Sequence, residues 1–287
     1  MQSAIKRIPR ILGRNKTTVA AGAIALLLIV LSIIGPWIAP HDPVRPNLDA
    51  SLLPGFWAEN RVHPLGTDNL GRDIYSRILY GASISLRIGY SVIAATAVLG
   101  ISIGLISGYF GGRVDIVIMR FFDILLAFPP LLLALAIVAV LGTGMEFAMM
   151  AIIVVYIPAV ARIVRSSVLS VKELPYIEAS RAMGAGNLRI IVTHVLPNIT
   201  TPVVVYLTLL LGDAILYTAA LGFLGIGIDP ATPEWGAMLS GGRDFLLIGK
   251  WWVTVFPGTM IFLAVLSFNL LGDGLREALD PKLRFRR

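Results

Sequence analysis

The sequence predicts an all-α membrane protein with six transmembrane helices, and three observations carry that prediction: composition, six long apolar runs and the placement of basic residues. Of 287 residues, 56% are hydrophobic and 14% charged, and the mean hydropathy is +0.82. An ordinary soluble domain has roughly a quarter of its residues charged, so that class is excluded. A bilayer core of ~30 Å requires about 20 predominantly apolar residues in a helix, because backbone groups in lipid can be satisfied only internally. Runs at residues 18–39, 86–110, 124–141, 147–163, 202–224 and 251–271 meet this requirement.

Charge orients the spans. The net charge of +7 would suggest nucleic acid in a soluble protein, but here topology accounts for it and no nucleic-acid partner is expected. With both termini inside, the cytoplasmic segments 1–17, 111–123, 162–201 and 272–287 hold 17 Lys and Arg, against 7 in the larger external segments with Arg87. That is the positive-inside bias. The absence of Cys excludes disulfides, thiolate zinc sites and Cys nucleophiles. The length leaves no room for a separate catalytic domain.

The organisation expected is a cytoplasmic tail (1–17), a first anchor (18–39), an external loop (40–85), a five-helix core (86–271) and a basic cytoplasmic tail (272–287). The first span follows Lys6, Arg7, Arg10, Arg14 and Lys16; it is longer than a signal-peptide core and reads as a retained anchor facing lipid. In the external loop, Pro43, Pro46, Pro54 and Pro64 favour an extended path. After the candidate caps Thr67 and Asp68, Ile74, Ile78, Leu79 and Ala82 recur at helical spacing, with Arg72, Asp73 and Arg77 polar. Such a helix lies on the outer membrane surface or packs on the protein's own spans.

Gly100, Gly104 and Gly108 share one face of the second span and predict close helix packing, without saying which helix. Pro129 and Pro130 interrupt the third span, Pro158 lies in the short fourth, and Pro257 with Gly258 interrupts the sixth, as kinks or hinges. Arg120 and Asp123 are spaced for a local ion pair. In the cytoplasmic loop 162–201, Pro175 opens a short helix and Gly184 closes it; a second runs from Leu188 to Leu196 and ends at Pro197. Ile177 and Ser180 share one side, and Glu178 and Arg181 present opposite charges. This compact knob either docks into a partner's groove or covers the protein's own inner surface.

Glu178-Ala179-Ser180, Gly184 and Leu196-Pro197 match the spacing of the EAA loop and resemble that of bacterial ATP-binding-cassette importer permeases, with Ser180 and His194 departing from the family pattern. The resemblance implies that Pro175, Glu178, Ala179, Arg181 and Gly184 belong to an ATPase-coupling element. Further motifs are His63-Pro-Leu-Gly-Thr-Asp-Asn-Leu-Gly-Arg-Asp73, Gly108-Tyr-Phe-Gly-Gly-Arg-Val-Asp115, Leu221-Gly-Phe-Leu-Gly225, Pro233-Glu-Trp-Gly236 and Phe268-Asn-Leu-Leu-Gly-Asp-Gly-Leu-Arg276. Together they look like the C-type permease subunit of dipeptide, oligopeptide and nickel importers. That likeness implies a permease-like bundle, a second related permease, two ATPase subunits and an external substrate-binding protein. Nickel chelates, D-amino-acid dipeptides and glutathione are alternative cargoes within the same group.

No phosphate-binding loop is present, so ATP and Mg are expected on the partner ATPase subunits, with no cofactor in this chain. No catalytic residues are expected, since no hydrolase motif occurs. No metal site is expected either, because His41, His63 and His194 lack paired ligand spacing. Asp213 is the one acid well inside a span; it faces an aqueous pathway, where it would pass a peptide ammonium, or it is bonded or protonated against a neighbouring helix. The external loop 225–250 carries Glu234 and Trp235 as candidates for binding-protein contact. A secondary transporter is the alternative from another class, but it would need several intramembrane polar groups where this chain shows one acid.

Overall fold

The computed structural model describes residues 15–279. The basic clusters expected in residues 1–14 and 280–287 lie outside the described residues. Within the described part, helices dominate and the one β feature is an isolated bridge between Thr67 and Asp73.

Helix α1 spans Lys16–Ile38, its first turn capped by the Asn15 carboxamide accepting from Thr17 N at 3.1 Å. A loop with two short 3₁₀ turns leads to α2, Ile74–Phe110. The helix expected on the membrane surface and the second predicted span are therefore one 37-residue helix. Its cap is Asp73, whose carboxylate accepts from Ser76 N at 2.7 Å, rather than Thr67 or Asp68. Of the two arrangements open for the amphipathic stretch, packing against the protein holds: Ile74, Ile78 and Ala82 lie in one core with Trp235 and Trp252.

The third predicted span is two helices, α3 (Gly112–Leu126) and α4 (Pro130–Leu141), bent by 94°. Pro129 and Pro130 account for the break: proline disfavours α geometry in the residue before it and suits the first position of a new helix. Among the described residues five continuous helices are long and apolar enough to cross a bilayer, and the bent pair makes a sixth span if it is counted as one. Asp123 pairs across to Arg162 at 2.6 Å, in place of the local pair with Arg120 that spacing suggested.

α5 is Met145–Lys172 and α6 is Pro175–Ala182. α7 runs from Asn187–Phe223, passing through a π-helical segment at Ile191–Val195. The second short helix of the loop does not end at Pro197. Pro197 instead stands in the first turn of the α-helical run Leu196–Phe223, directly after the π turn. α8 (Trp235–Leu246) and α9 (Trp252–Leu279) complete the chain, and α9 continues through Pro257 rather than breaking there.

The glycine face of α2 meets α5. A Cβ at Gly100 would stand 2.7 Å from Val160 Cγ1, at Gly104 2.6 Å from the Ala161 carbonyl oxygen, and at Gly108 2.8 Å from Val168 Cβ. Only hydrogen at these positions lets the backbones approach so closely. Two cores result. One joins α2, α4, α5 and α7 and reaches Ile177 of α6; the other joins α1, the outer half of α2, α7, α8 and α9.

Candidate coupling and translocation sites

α6 is held by its inner side and open on its outer one. Pro175 begins the helix, where a missing N–H costs nothing. Ala185 N donates to the Ser180 carbonyl at 3.1 Å and Gly184 N to the Arg181 carbonyl at 3.0 Å, closing the helix in a Schellman turn. Gly184 sits at φ +85°, a left-handed conformation that glycine adopts without steric cost. Ile177 is fully buried in the same core as Ile190, Val195 and Ile199. The Ser180 hydroxyl donates to the Tyr176 carbonyl at 2.8 Å and contacts His194 Nε2 at 3.4 Å, so the two departures from the family pattern meet each other. Arg181 stacks over Tyr109 at 5.9 Å, and the Tyr109 hydroxyl donates to Asn187 Oδ1 at 3.0 Å. These contacts tie the knob to the inner end of α2.

Facing away are Glu178 and Ala179, both exposed, within an apolar rim of Leu174, Tyr176, Met183 and Leu188. Met183 is 81% and Leu188 76% exposed. One side of the knob covers the protein's own surface, as the second of the two arrangements has it, and the other presents apolar side chains outward. Beneath it, Asp115 of α3 receives both arms of the Arg165 guanidinium of α5 and the Ser107 hydroxyl of α2, and Lys172 Nζ donates to the Gly108 carbonyl at 3.0 Å. The knob stands on a rigid, multiply bonded base.

Asp213 lies in the C-terminal half of α7, partly exposed and with no side-chain hydrogen bond or ion pair among the described residues. Pro202, Tyr206, Leu209, Asp213 and Tyr217 are spaced by three or four residues and share one face. Tyr206 and Tyr217 thus flank Asp213 on its own face of α7. Tyr156 and Tyr217 rings are 5.9 Å apart, and the buried Tyr156 hydroxyl has no partner among the described residues. Inward along the face, a cavity of about 450 Å³ is lined by Pro202, Tyr206, Leu209, Ile163 and Arg276. None of the tyrosines was singled out by the sequence, although their register with Asp213 on α7 was available there.

Glu234 and Trp235 are 1% and 0% exposed and cannot be contact side chains for an external protein in this structure. Glu234 caps α8, accepting from Ala237 N at 2.8 Å and from the Ser85 hydroxyl at 3.0 Å, while the Trp235 indole donates to the Ile78 carbonyl at 3.3 Å. A Cβ at Gly236 would stand 2.2 Å from the Ala219 carbonyl oxygen, which explains why the motif needs glycine there. Burial pushes the Glu234 carboxyl up, against the lowering effect of the Gly236 and Ala237 amides and the Ser85 hydroxyl. Next to this helix, Arg77 is 1% exposed, stands 3.7 Å from Asp68 Oδ2 and donates to the Pro43 carbonyl at 2.6 Å and to the Ala231 and Thr232 carbonyls at 3.3 and 3.4 Å. Asp68 also takes Arg72 Nε at 2.7 Å. The residues read as polar positions are the interior of a module built by the loop before α2, the start of α2 and the segment before α8.

Comparison with known proteins fits this architecture. Residues 100–285 match the family described as binding-protein-dependent transport system inner membrane component, and residues 3–54 match the N-terminal TM domain of oligopeptide transport permease C. The chain belongs to the binding-protein-dependent transport system inner membrane components, and is a multi-pass membrane subunit of an ATP-binding-cassette importer. The di/tripeptide transport system permease protein DppC of Pseudomonas aeruginosa is 45% identical, covering 98% of this chain and 93% of the relative. The dipeptide transport system permease protein DppC of Haemophilus influenzae is 47% identical over 92% of this chain and 90% of its own length. The glutathione transport system permease protein GsiD of Pectobacterium atrosepticum is 44% identical over 94% and 89%. A chain of the inward-facing MetNI methionine ABC transporter shares the fold, with a TM-score of 0.55 at 21% identity over 70% of this chain and 95% of that one.

Proposed function

We propose that this subunit forms half of the pathway by which short peptides of two or three residues enter the cell, driven by ATP hydrolysis on partner subunits. A second permease completes the pathway, two ATPase subunits bind ATP and Mg²⁺, and an external binding protein delivers the peptide. Both termini face the cytoplasm. The observation that carries the reading is the outward apolar rim of α6, Leu174, Tyr176, Met183 and Leu188, on a helix whose other side is stitched to α2 and the core. An exposed rim of this kind beside Glu178 and Ala179 is suited to seating in a groove, and its rigid base passes displacement to α2, α3 and α5.

Cargo chemistry is read from Asp213. A carboxylate with no partner among the described residues, flanked on its helix face by Tyr206 and Tyr217 with Tyr156 against Tyr217, suits a peptide ammonium, through charge and through attraction of a cation to aromatic faces. The relatives named for dipeptides, tripeptides and glutathione share that terminal chemistry, which favours peptides over nickel chelates. The test is uptake by the reconstituted complex after residues 175–182 are replaced with a Gly/Ser tether. Loss of ATP-driven uptake is expected; uptake at the normal rate contradicts the reading. For the cargo, Asp213→Asn should lower uptake of free peptides more than that of N-acetylated ones, and equal effects would remove Asp213 from the pathway.

A further inference from the structure

The external module brings together three groups that stand far apart in the sequence. His41 follows α1, His63 lies in the loop, and Asp73 caps α2; one ligand atom from each falls within 4.8 Å of the others. His63 Nδ1 is 3.0 Å from Asp73 Oδ1 and His41 Nδ1 is 3.7 Å from Asp73 Oδ2, with the two imidazole rings 4.8 Å apart. His63 Nδ1 is satisfied by the carboxylate, but the His41 Nδ1 atom is buried with no hydrogen-bond partner among the described residues. A buried ring nitrogen without a partner is costly, and it points at the same carboxylate.

We infer that His41, His63 and Asp73 form a binding site for a divalent transition cation, Zn²⁺ being the ion whose usual ligands match two imidazoles and a carboxylate. These residues lack paired ligand spacing along the chain, on which no metal is expected, yet folding of the loop supplies the set. The ligands are held from behind. Asp73 Oδ2 accepts from the Ser76 amide and hydroxyl, both at 2.7 Å, which leaves Oδ1 as the outward donor atom. The His41 backbone amide donates to Ser76 Oγ at 3.1 Å, and the neighbouring Pro43 carbonyl is fixed by Arg77. Such support is what an oriented metal ligand needs.

The site opens into a cavity of about 320 Å³ that is also lined by Asp42, Arg45 and Arg72, with the exposed Arg45 beside the Asp42 carboxylate. Arg72 is already matched by Asp68, so its charge does not stand free against an entering cation. Binding replaces the His63–Asp73 hydrogen bond with bonds to the ion and leaves the proton of the neutral His63 ring on Nε2. With three protein ligands, one position stays for water or for a group brought by a docking partner. The ion would clamp the end of α1 to the start of α2.

The test uses the assembled transporter carrying no polyhistidine tag, dialysed against Zn²⁺ alone, with bound metal counted by elemental analysis. Wild type is expected to hold one more Zn²⁺ per copy of this subunit than His41→Ala or His63→Ala, with affinity at the site falling about tenfold or more in each. Thermal stability is compared with and without Zn²⁺ in each protein: wild type should gain stability on adding Zn²⁺, and His41→Ala, whatever its metal-free stability, should gain none. Equal Zn²⁺ uptake by wild type and His41→Ala, or no Zn²⁺-dependent stabilisation of wild type, overturns the inference. If a variant fails to assemble, Co²⁺ bound to wild type decides: an absorption spectrum of nitrogen-ligated, low-coordinate Co²⁺ supports the site, and the spectrum of the hydrated ion overturns it.

Discussion

At the outer face Arg77 and Glu234 are each 1% exposed, and their hydrogen bonds run to other segments of the same chain; at the inner face Met183 is 81% exposed, and none of the described residues covers it. The outer module spends polar groups on internal closure. The inner knob uses glycine and proline to make a short rigid helix and leaves its apolar rim outward. A face that completes itself resists change at any of its buried groups, whereas a face that awaits a partner tolerates change in the isolated protein and shows it only in coupling.

Arg77→Leu should have the largest effect on stability, because it removes donors to three backbone carbonyls and the longer of the two cationic contacts of buried Asp68. A loss of about 3–5 kcal/mol is expected in thermal or denaturant unfolding of the purified protein; a change below 1 kcal/mol would mean that the outer module is not closed as described. Gly104→Val places carbon where the Ala161 carbonyl and Val164 already sit. It should cost about 1–3 kcal/mol and loosen α2 from α5, read as faster proteolysis between them.

Glu234→Ala leaves the Ala237 amide and Ser85 hydroxyl without their acceptor and should cost about 1–3 kcal/mol. The pH dependence has a definite sign. Burial raises the Glu234 carboxyl in the folded protein, so the native state keeps this proton to higher pH than the unfolded chain. Its contribution is therefore fully present below the unfolded value, about pH 4.3, and is lost as pH rises through the folded one. Glu234→Gln should flatten that fall, and an unchanged profile would show that the carboxyl is not the group responsible. The smallest effect on stability belongs to the inner face: Met183→Ser should change unfolding by about 0.5 kcal/mol or less while lowering ATP-driven uptake by the complex.

The contrast also explains what the sequence showed. Apolar runs located five continuous membrane helices, because hydropathy along a helix is a local property. Pro175 and Gly184 bounded α6 for the same reason: helix starts and stops are set by the residue at the boundary. The continuity of α2 was hidden because Arg72, Asp73 and Arg77 read as solvent-facing until their partners, the Asp68 carboxylate and the carbonyls of Pro43, Ala231 and Thr232, are in place. Glu234 and Trp235 looked accessible for lack of their contacts with Ser85 and Ile78 on α2. Pro197 read as a stop because the π turn that precedes it has no simple sequence signal. The tyrosines beside Asp213 fell between: Tyr206 and Tyr217 follow from register on α7, but Tyr156 arrives from α5.

The docking of α6 can be measured directly because the chain has no native cysteine. A single cysteine at Ala179, on the exposed side of the knob, is to be labelled with a water-soluble maleimide in this subunit alone and in the complex with its ATPase partners. Labelling should be fast in the isolated subunit and strongly protected on assembly, while a cysteine at exposed Asn198 on α7 keeps one rate in both. Equal labelling of Ala179→Cys before and after assembly would contradict the account.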